Sequence, residues 1–380
     1  MVGTSPPGPA AFEAAGLYDP AAPGATERLA LLEYLVGLGA TIDDLLAVGP
    51  GELPVVASMI ALRGTGTLLT LAEVAARAGL DELLLRRVWR SVGLPDPPAD
   101  AAVFSTGDLD LLATLEAGRT FLGEEVTMQL MRVLGTAAAR VADAAVSAFM
   151  VNVLPAAIER DPSGLELARA NATGMEMLDA LERAFGTMLR RHLLLGFRPL
   201  EPLSDVPGVD VVRRTVVFAD LVESTAWAAR VDVATLGRAL ATFDALASEI
   251  VVPHGGRVVK VIGDEVMVVA SQPVGAVVAA LELVDALRAH DLLPPVRVGI
   301  ATGDAVARGG DYTGTVVNLA ARAVKLAEPS GVVVDEATAA ALAGDRSLVC
   351  GEPRVAVLKG FDEPVALTPV NWRDATSPAR

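Results

Sequence analysis

The spacing of apolar residues changes once along this 380-residue chain, between Gly196 and Pro207, and that change decides what each half can fold into. From residue 25 to about 200 the apolar positions recur with a helical period, and strand signals are absent. Beyond Pro207, blocks such as TVVFADLV and RVVKVIGDEVMVVA have the length and composition of strands joined by tight turns. Gly196, Pro199, Pro202 and Pro207 stiffen the junction. The expected layout is a disordered or extended segment over 1–24, an all-helical domain over 25–196, a linker over 197–210 and an α+β domain over 211–372. In that last domain an antiparallel-rich sheet is expected to carry helices on one face.

The strand-rich half holds the chemistry. TVVFADLV ends a buried strand on the carboxylate Asp220, and the turn Glu223-Ser224-Thr225 then opens a helical pattern. A strand that delivers an acid to a turn of backbone N–H groups suits a metal–triphosphate site. A second acid, Asp264, sits in the turn Gly263-Asp264 between two further strands. Two such acids can share a pair of hard divalent cations through oxygen ligands. In DYTGTVVNLAAR, Asp311, Asn318 and Arg322 stand seven and four residues apart. A helix starting near Thr313–Thr315 and stopping at Pro329-Ser330-Gly331 puts Asn318 and Arg322 on one face, one turn apart. An amide beside a guanidinium can orient a ribose and meet charge building on a phosphoryl group.

With these residues in view, positions 212 to about 370 resemble the catalytic domain of class III nucleotidyl cyclases. The resemblance implies a ferredoxin-like βαββαβ core and places two metal ions, Mg²⁺ or Mn²⁺, on Asp220 and Asp264, with the backbone at Leu221 as a further ligand. It puts purine selection on Lys260 and Asp311, and the ribose and transition-state contacts on Asn318 and Arg322. Phosphate binding falls on Arg297 and Lys359, with Ser224 and Thr225 in the phosphate turn. It also implies ATP as substrate and a homodimer in which the metal acids of one subunit face the purine and ribose residues of the other. Lysine at 260 can donate to adenine N1 and aspartate at 311 can accept from the N6 amine, whereas guanine would oppose like groups. Two of the three lysines in the chain, against 28 arginines, fall on these positions. Only 13 residues separate Arg297 from Asp311, short of the dimer-embracing arm of the animal enzymes and similar to the compact bacterial subtype.

The helical half offers no catalytic constellation. TERLALLEYLVGLGA reads as an amphipathic helix capped by Thr26, and 163–195 as one long helix whose last turn holds Arg190, Arg191 and His192. His192 is expected to serve as a cap, with pH sensing as the sharper reading; His254 and His290 are expected in turns. LAEVAARAGL followed by Arg86, Arg87 and Arg90 has the cadence of a helix-turn-helix. A packing hairpin with solvated arginines is the preferred reading, because the net charge over residues 1–205 is −11. This half resembles, more diffusely, the regulatory domain ahead of the catalytic domain in soluble actinobacterial adenylate cyclases. It is expected to inhibit, and a small apolar ligand in its Leu/Met/Ala-rich core is one candidate input.

Composition narrows the partners. A net charge of −16 gives no general attraction to nucleic acid or to anionic membranes, so a triphosphate must be captured by local basic groups and metal. The single cysteine, Cys350, forbids an intrachain disulfide and suits a reducing, cytoplasmic compartment. Mean hydropathy is high, at +0.46. The longest uncharged runs, Ala144–Ile158 and Val266–Leu281, are nevertheless shorter than a spanning helix requires and each contains proline, so no membrane span is expected. The opening residues lack the basic and apolar regions of a signal peptide.

Overall fold

A computed structural model describes residues 6–63, 68–196 and 209–373, and the chain divides into two compact units, Met1–Pro199 and Leu200–Arg380. The linker expected over 197–210 lies almost wholly outside the described residues, as do residues 1–5 of the expected extended segment.

The first unit is helical: α1 (Pro9–Ala14), α2 (Ala25–Gly37), α3 (Ile42–Leu46), α4 (Val56–Arg63), α5 (Leu71–Ala78), α6 (Glu82–Ser91), α7 (Thr106–Leu122), α8 (Glu124–Asn152), α9 (Leu154–Arg160), α10 (Leu165–Glu176) and α11 (Leu178–Gly196). It has two cores. Phe12, Leu31, Leu32, Leu35, Leu45 and Ala168 gather α1, α2, α3 and α10, while Leu71, Val74, Leu85, Val88, Leu115 and Met131 gather α5 to α8. Segment 1–24 is therefore not simply extended: α1 forms within it and Phe12 is fully buried in the first core. The cap of α2 is Gly24 in a left-handed conformation, not Thr26; glycine adopts that geometry without steric cost, so the helix begins earlier than a hydroxyl cap would allow. The helix expected over 163–195 is divided at Met177 into α10 and α11. α11 buries none of its residues, so no packing stripe fixes it as a continuation of α10.

The helix-turn-helix cadence forms α5, a left-handed Gly79 and α6. Its arginines are engaged: Arg90 pairs with Asp96 at 2.5 Å, Arg86 approaches Asp96 at 3.8 Å, and Arg87 meets Glu124 on α8 at 2.9 Å. The apolar faces of both helices, Leu71, Val74, Leu85 and Val88, pack into the second core.

The expectation of no sufficiently long apolar segment fails on length. α8 and α9 together, Glu124–Arg160, are long and apolar enough to cross a membrane by length and composition, and little of the apolar stretch is buried within the chain. Counting uncharged runs missed it because Arg132, Arg140 and Asp143 interrupt the run without interrupting the helix. Pro155, at the start of α9, marks where α8 ends.

The second unit runs β1 (Asp210–Leu221), α12 (Ser224–Ala228), α13 (Val233–Val251), β2 (Gly256–Ile262), β3 (Glu265–Ala270), α14 (Pro273–Arg288), β4 (Val296–Arg308), β5 (Asp311–Thr313), α15 (Thr315–Ala323), β6 (Val332–Asp335), α16 (Glu336–Ala341), β7 (Leu348–Cys350), β8 (Arg354–Ala356) and β9 (Val365–Trp372). The sheet order is β2-β3-β1-β4-β6-β9-β7, with β5 paired to β4 and β8 to β9. Strands β1, β2, β3 and β4 with α13 and α14 make the expected βαββαβ core, and among the described strands only β4 and β6 pair in parallel.

The strand alternation of β1 feeds two cores. Val217, Ala219 and Leu221 face α13 and α14, with Phe243, Val277 and Leu283 among their neighbours. Val216 and Phe218 face the other way, onto Val316, Ala320 and Val324 of α15 and the turn after it. Helices thus cover both faces, not one, because β1 and β3 are apolar on both sides and a bare apolar face would be costly. Gly299 on β4 permits this close approach: a Cβ there would stand 2.2 Å from the backbone nitrogen of Val324.

Candidate active site

Asp220 lies next to the end of β1, on the face that α15 covers, and is 4% exposed. Strand register sets its neighbours: it is opposite Glu265 on β3 and Arg297 on β4. Arg297 donates from Nε at 2.8 Å and from Nη2 at 2.6 Å to Oδ2 of Asp220. Lys325 Nζ stands 2.9 Å from Oδ1 of Asp220 and 3.2 Å from Oε2 of Glu265. Both oxygens of a buried carboxylate are therefore held by cations, which is what makes its burial tolerable; stripping such a group of its partner typically costs about 3–5 kcal/mol. Burial lowers the affinity of Lys325 for its proton, but the hydrogen bonds to Asp220 and Glu265 outweigh it and the ammonium titrates above its ordinary range.

The second acid is brought to the first by the backbone. Leu221 N–H donates to the carbonyl of Asp264 at 3.2 Å, so the hairpin turn between β2 and β3 closes over the end of β1. Gly263 takes the left-handed geometry that this two-residue turn requires. The Ser224 hydroxyl donates to the Asp264 carboxylate. Glu223, ahead of α12, holds a left-handed φ of 53°, a conformation that costs a non-glycine residue about 1 kcal/mol and turns the chain sharply into Ser224-Thr225.

Asp220 and Asp264 bring carboxylate oxygens to adjoining strand ends, tied by the Leu221 N–H to the Asp264 carbonyl, and the Leu221 carbonyl is a further oxygen at that strand end. That chemistry fits hard divalent ions such as Mg²⁺ or Mn²⁺. Among the described residues no cluster of three or more His, Cys, Asp or Glu has metal-binding geometry. Two carboxylates and a carbonyl would leave the remaining positions to water and substrate phosphate oxygens, which is how Mg²⁺ is commonly held.

A separate pair joins β2 to β5. Lys260 Nζ lies 2.5 Å from Oδ2 of Asp311. A bulge between Val258 and Lys260 shifts the register of β2 at this point. Partial burial would raise the Asp311 carboxyl, but Lys260 and the Tyr312 N–H more than offset it and hold the group below its usual range. Beside it, Arg257 lies over the Tyr312 ring, 5.8 Å from its centroid. Asp311 is delivered by a two-residue hairpin, Gly309-Gly310, both with positive φ, so β4 returns directly into β5 without an inserted arm.

On α15, Val316, Ala320 and Ala323 are buried while Asn318 and Arg322 are exposed on one face. Lys359 and Thr225 are also exposed, the former in the turn between β8 and β9. Among the described residues, no hydrogen bond or ion pair links the group around Asp220 to the Lys260–Asp311 pair or to Asn318 and Arg322. Lys325 and Glu265 were not singled out by the sequence. Lys325 is one of only three lysines, and that rarity is the signal that could have drawn attention to it.

Residues 209–363 match the family model of the adenylate and guanylate cyclase catalytic domain, and residues 13–199 match that of the adenylate cyclase regulatory domain. Fold and site thus define a nucleotidyl cyclase domain behind a regulatory one. The chain is 34% identical to an uncharacterised protein of Mycobacterium tuberculosis strain H37Rv over 97% of both chains. It is 33% identical to an adenylate cyclase of Streptomyces coelicolor, covering 80% of this chain and 79% of that one. A pH-sensitive adenylate cyclase of M. tuberculosis strain CDC 1551 is 30% identical, over 83% of this chain and 80% of its own length. This chain belongs to the class III cyclase family, and the relatives it resembles include adenylate cyclases of actinobacteria.

Proposed function

We propose that the protein converts ATP to 3′,5′-cyclic AMP and pyrophosphate at sites shared by two copies of the chain, under control of its helical unit. The observation that carries this reading is the pairing of Lys260 with Asp311: an ammonium donor beside a carboxylate acceptor is complementary to the N1 and N6 edge of adenine and not to guanine. In the reaction the ribose 3′-oxygen loses its proton and attacks the α-phosphorus, the bond to the β-phosphate oxygen breaks, and pyrophosphate departs.

Asp220, Asp264 and the Leu221 carbonyl would hold two Mg²⁺ or Mn²⁺ ions, which supply activation of the 3′-hydroxyl and neutralisation of the triphosphate. Asn318 orients the ribose, and Arg322 meets the charge that grows on the α-phosphoryl group. Arg297, Lys359 and the Ser224-Thr225 turn bind the β- and γ-phosphates. Among the described residues Asn318 and Arg322 have no hydrogen bond or ion pair to Asp220 or Asp264, which supports a site completed by a second copy. The helical unit feeds the catalytic unit through the chain that follows α11, and we assign it an inhibitory role.

The test is formation of cyclic AMP by the purified full-length protein with Mn²⁺ or Mg²⁺. Asp220→Ala and Asp264→Ala should each abolish turnover, and near-normal activity in either would refute the assignment.

A further inference from the structure

Asp220 is held by two cations that differ in how firmly they hold it. Arg297 offers two N–H groups to one oxygen from the neighbouring strand, in register, and its planar fork cannot leave without breaking both bonds. Lys325 offers a single ammonium to the other oxygen, from the 3₁₀ turn Val324–Leu326 that follows α15, on a flexible stem whose side chain is about half exposed. It also has a second acceptor already in place, Glu265 Oε2 at 3.2 Å.

We propose that Lys325 is a displaceable counter-ion of the metal site. It neutralises Asp220 Oδ1 while the carboxylate has no other cation there, and passes wholly to Glu265 when a divalent ion takes that oxygen. Lys325 is thereby a positioning residue that competes with metal, and Glu265 is the acceptor that makes the exchange cheap. This inference rests on the metal reading of Asp220 given above. It adds two residues, Lys325 and Glu265, whose effect on metal affinity has opposite signs.

The experiment titrates full-length protein with Mn²⁺ alone, without nucleotide, following free Mn²⁺ by electron paramagnetic resonance. Lys325→Gln and Lys325→Met should each tighten binding by about five- to tenfold, the effect of removing one half-exposed ammonium that competes with the metal for a carboxylate oxygen. Glu265→Gln should weaken it, and in the Lys325→Gln background the same change should matter little, because the exchange it assists no longer occurs. A merely structural role for Lys325 would loosen the site and weaken binding. Unchanged or weaker Mn²⁺ binding by both Lys325 variants, with the site lost in Asp220→Asn, overturns the counter-ion role and leaves the metal reading standing. Wild-type Mn²⁺ binding by Asp220→Asn overturns the metal reading and this inference with it.

Discussion

Lys260 on β2 and Asp311 on β5 meet at 2.5 Å although no strand pairing joins them: β2 is an edge strand paired to β3, and β5 is a short strand paired to β4. Their pairing presents a donor and an acceptor side by side, and it makes purine selection the most directly testable property of the site. Lys260→Glu combined with Asp311→Cys replaces that donor–acceptor pattern. The double variant should lose most of its kcat/KM for ATP and gain relative preference for GTP, by a factor of about 10² or more if one hydrogen-bonding edge is mismatched. An unchanged ATP/GTP ratio would remove these residues from the purine site.

Shared sites predict complementation. Asp220→Ala and Arg322→Ala should each be inactive alone. Mixed in equal amounts and allowed to exchange, half of the dimers carry one intact site, so about a quarter of wild-type activity should return if sites act independently. Heterodimers verified by tag pull-down that show no rescue would place all the catalytic residues within one chain.

Buried Asp335 offers a stability test with a defined sign. It accepts from the backbone N–H groups of Thr302 at 3.2 Å and Thr338 at 2.9 Å, and the Thr338 hydroxyl in turn meets that of Thr302 at 2.7 Å. Burial pushes its carboxyl up, and the hydrogen bonds from Thr338 and Thr302 only partly offset this. A raised folded-state value means that protonation favours the fold, so its contribution is fullest below the ordinary carboxylate range and is lost as pH rises through the raised value. Asp335→Asn, which can still cap α16, should therefore melt at or above the wild-type temperature at pH 7, with the gap closing toward pH 4. Asp335→Ala leaves two N–H groups without an acceptor and should cost about 1–3 kcal/mol. A marked loss of stability in the asparagine variant at pH 7 would mean that the charge itself is needed.

Control by the helical unit is tested by comparing the full-length protein with residues 206–380 over pH 5 to 8. The cores of the second unit are built from its own residues, so the shorter chain retains them. We expect higher activity and an altered pH profile in the shorter chain. Equal activity and identical profiles would make the helical unit a passive module.

The acids at the strand ends, the tight turn at Gly263-Asp264, the shared face of Asn318 and Arg322 and the helical character of the first half were all legible in the sequence. Each is written in a local period or a turn residue, and local periods survive whatever the rest of the chain does. Three other features depended on packing between residues far apart along the chain. The placement of α15 across the second face of the sheet follows from apolar side chains on both sides of β1 and from the space left at Gly299. The embedding of Phe12 in a core with Ala168 follows from how α1, α2, α4 and α10 gather into one cluster, which no spacing within a single segment encodes. The contact of Arg297 and Lys325 with Asp220 is set by the β1–β4 register and by the turn after α15. A sequence names which residues carry charge, but only the tertiary fold brings opposite charges together, because a buried carboxylate must find its cations wherever strand register and helix packing deliver them.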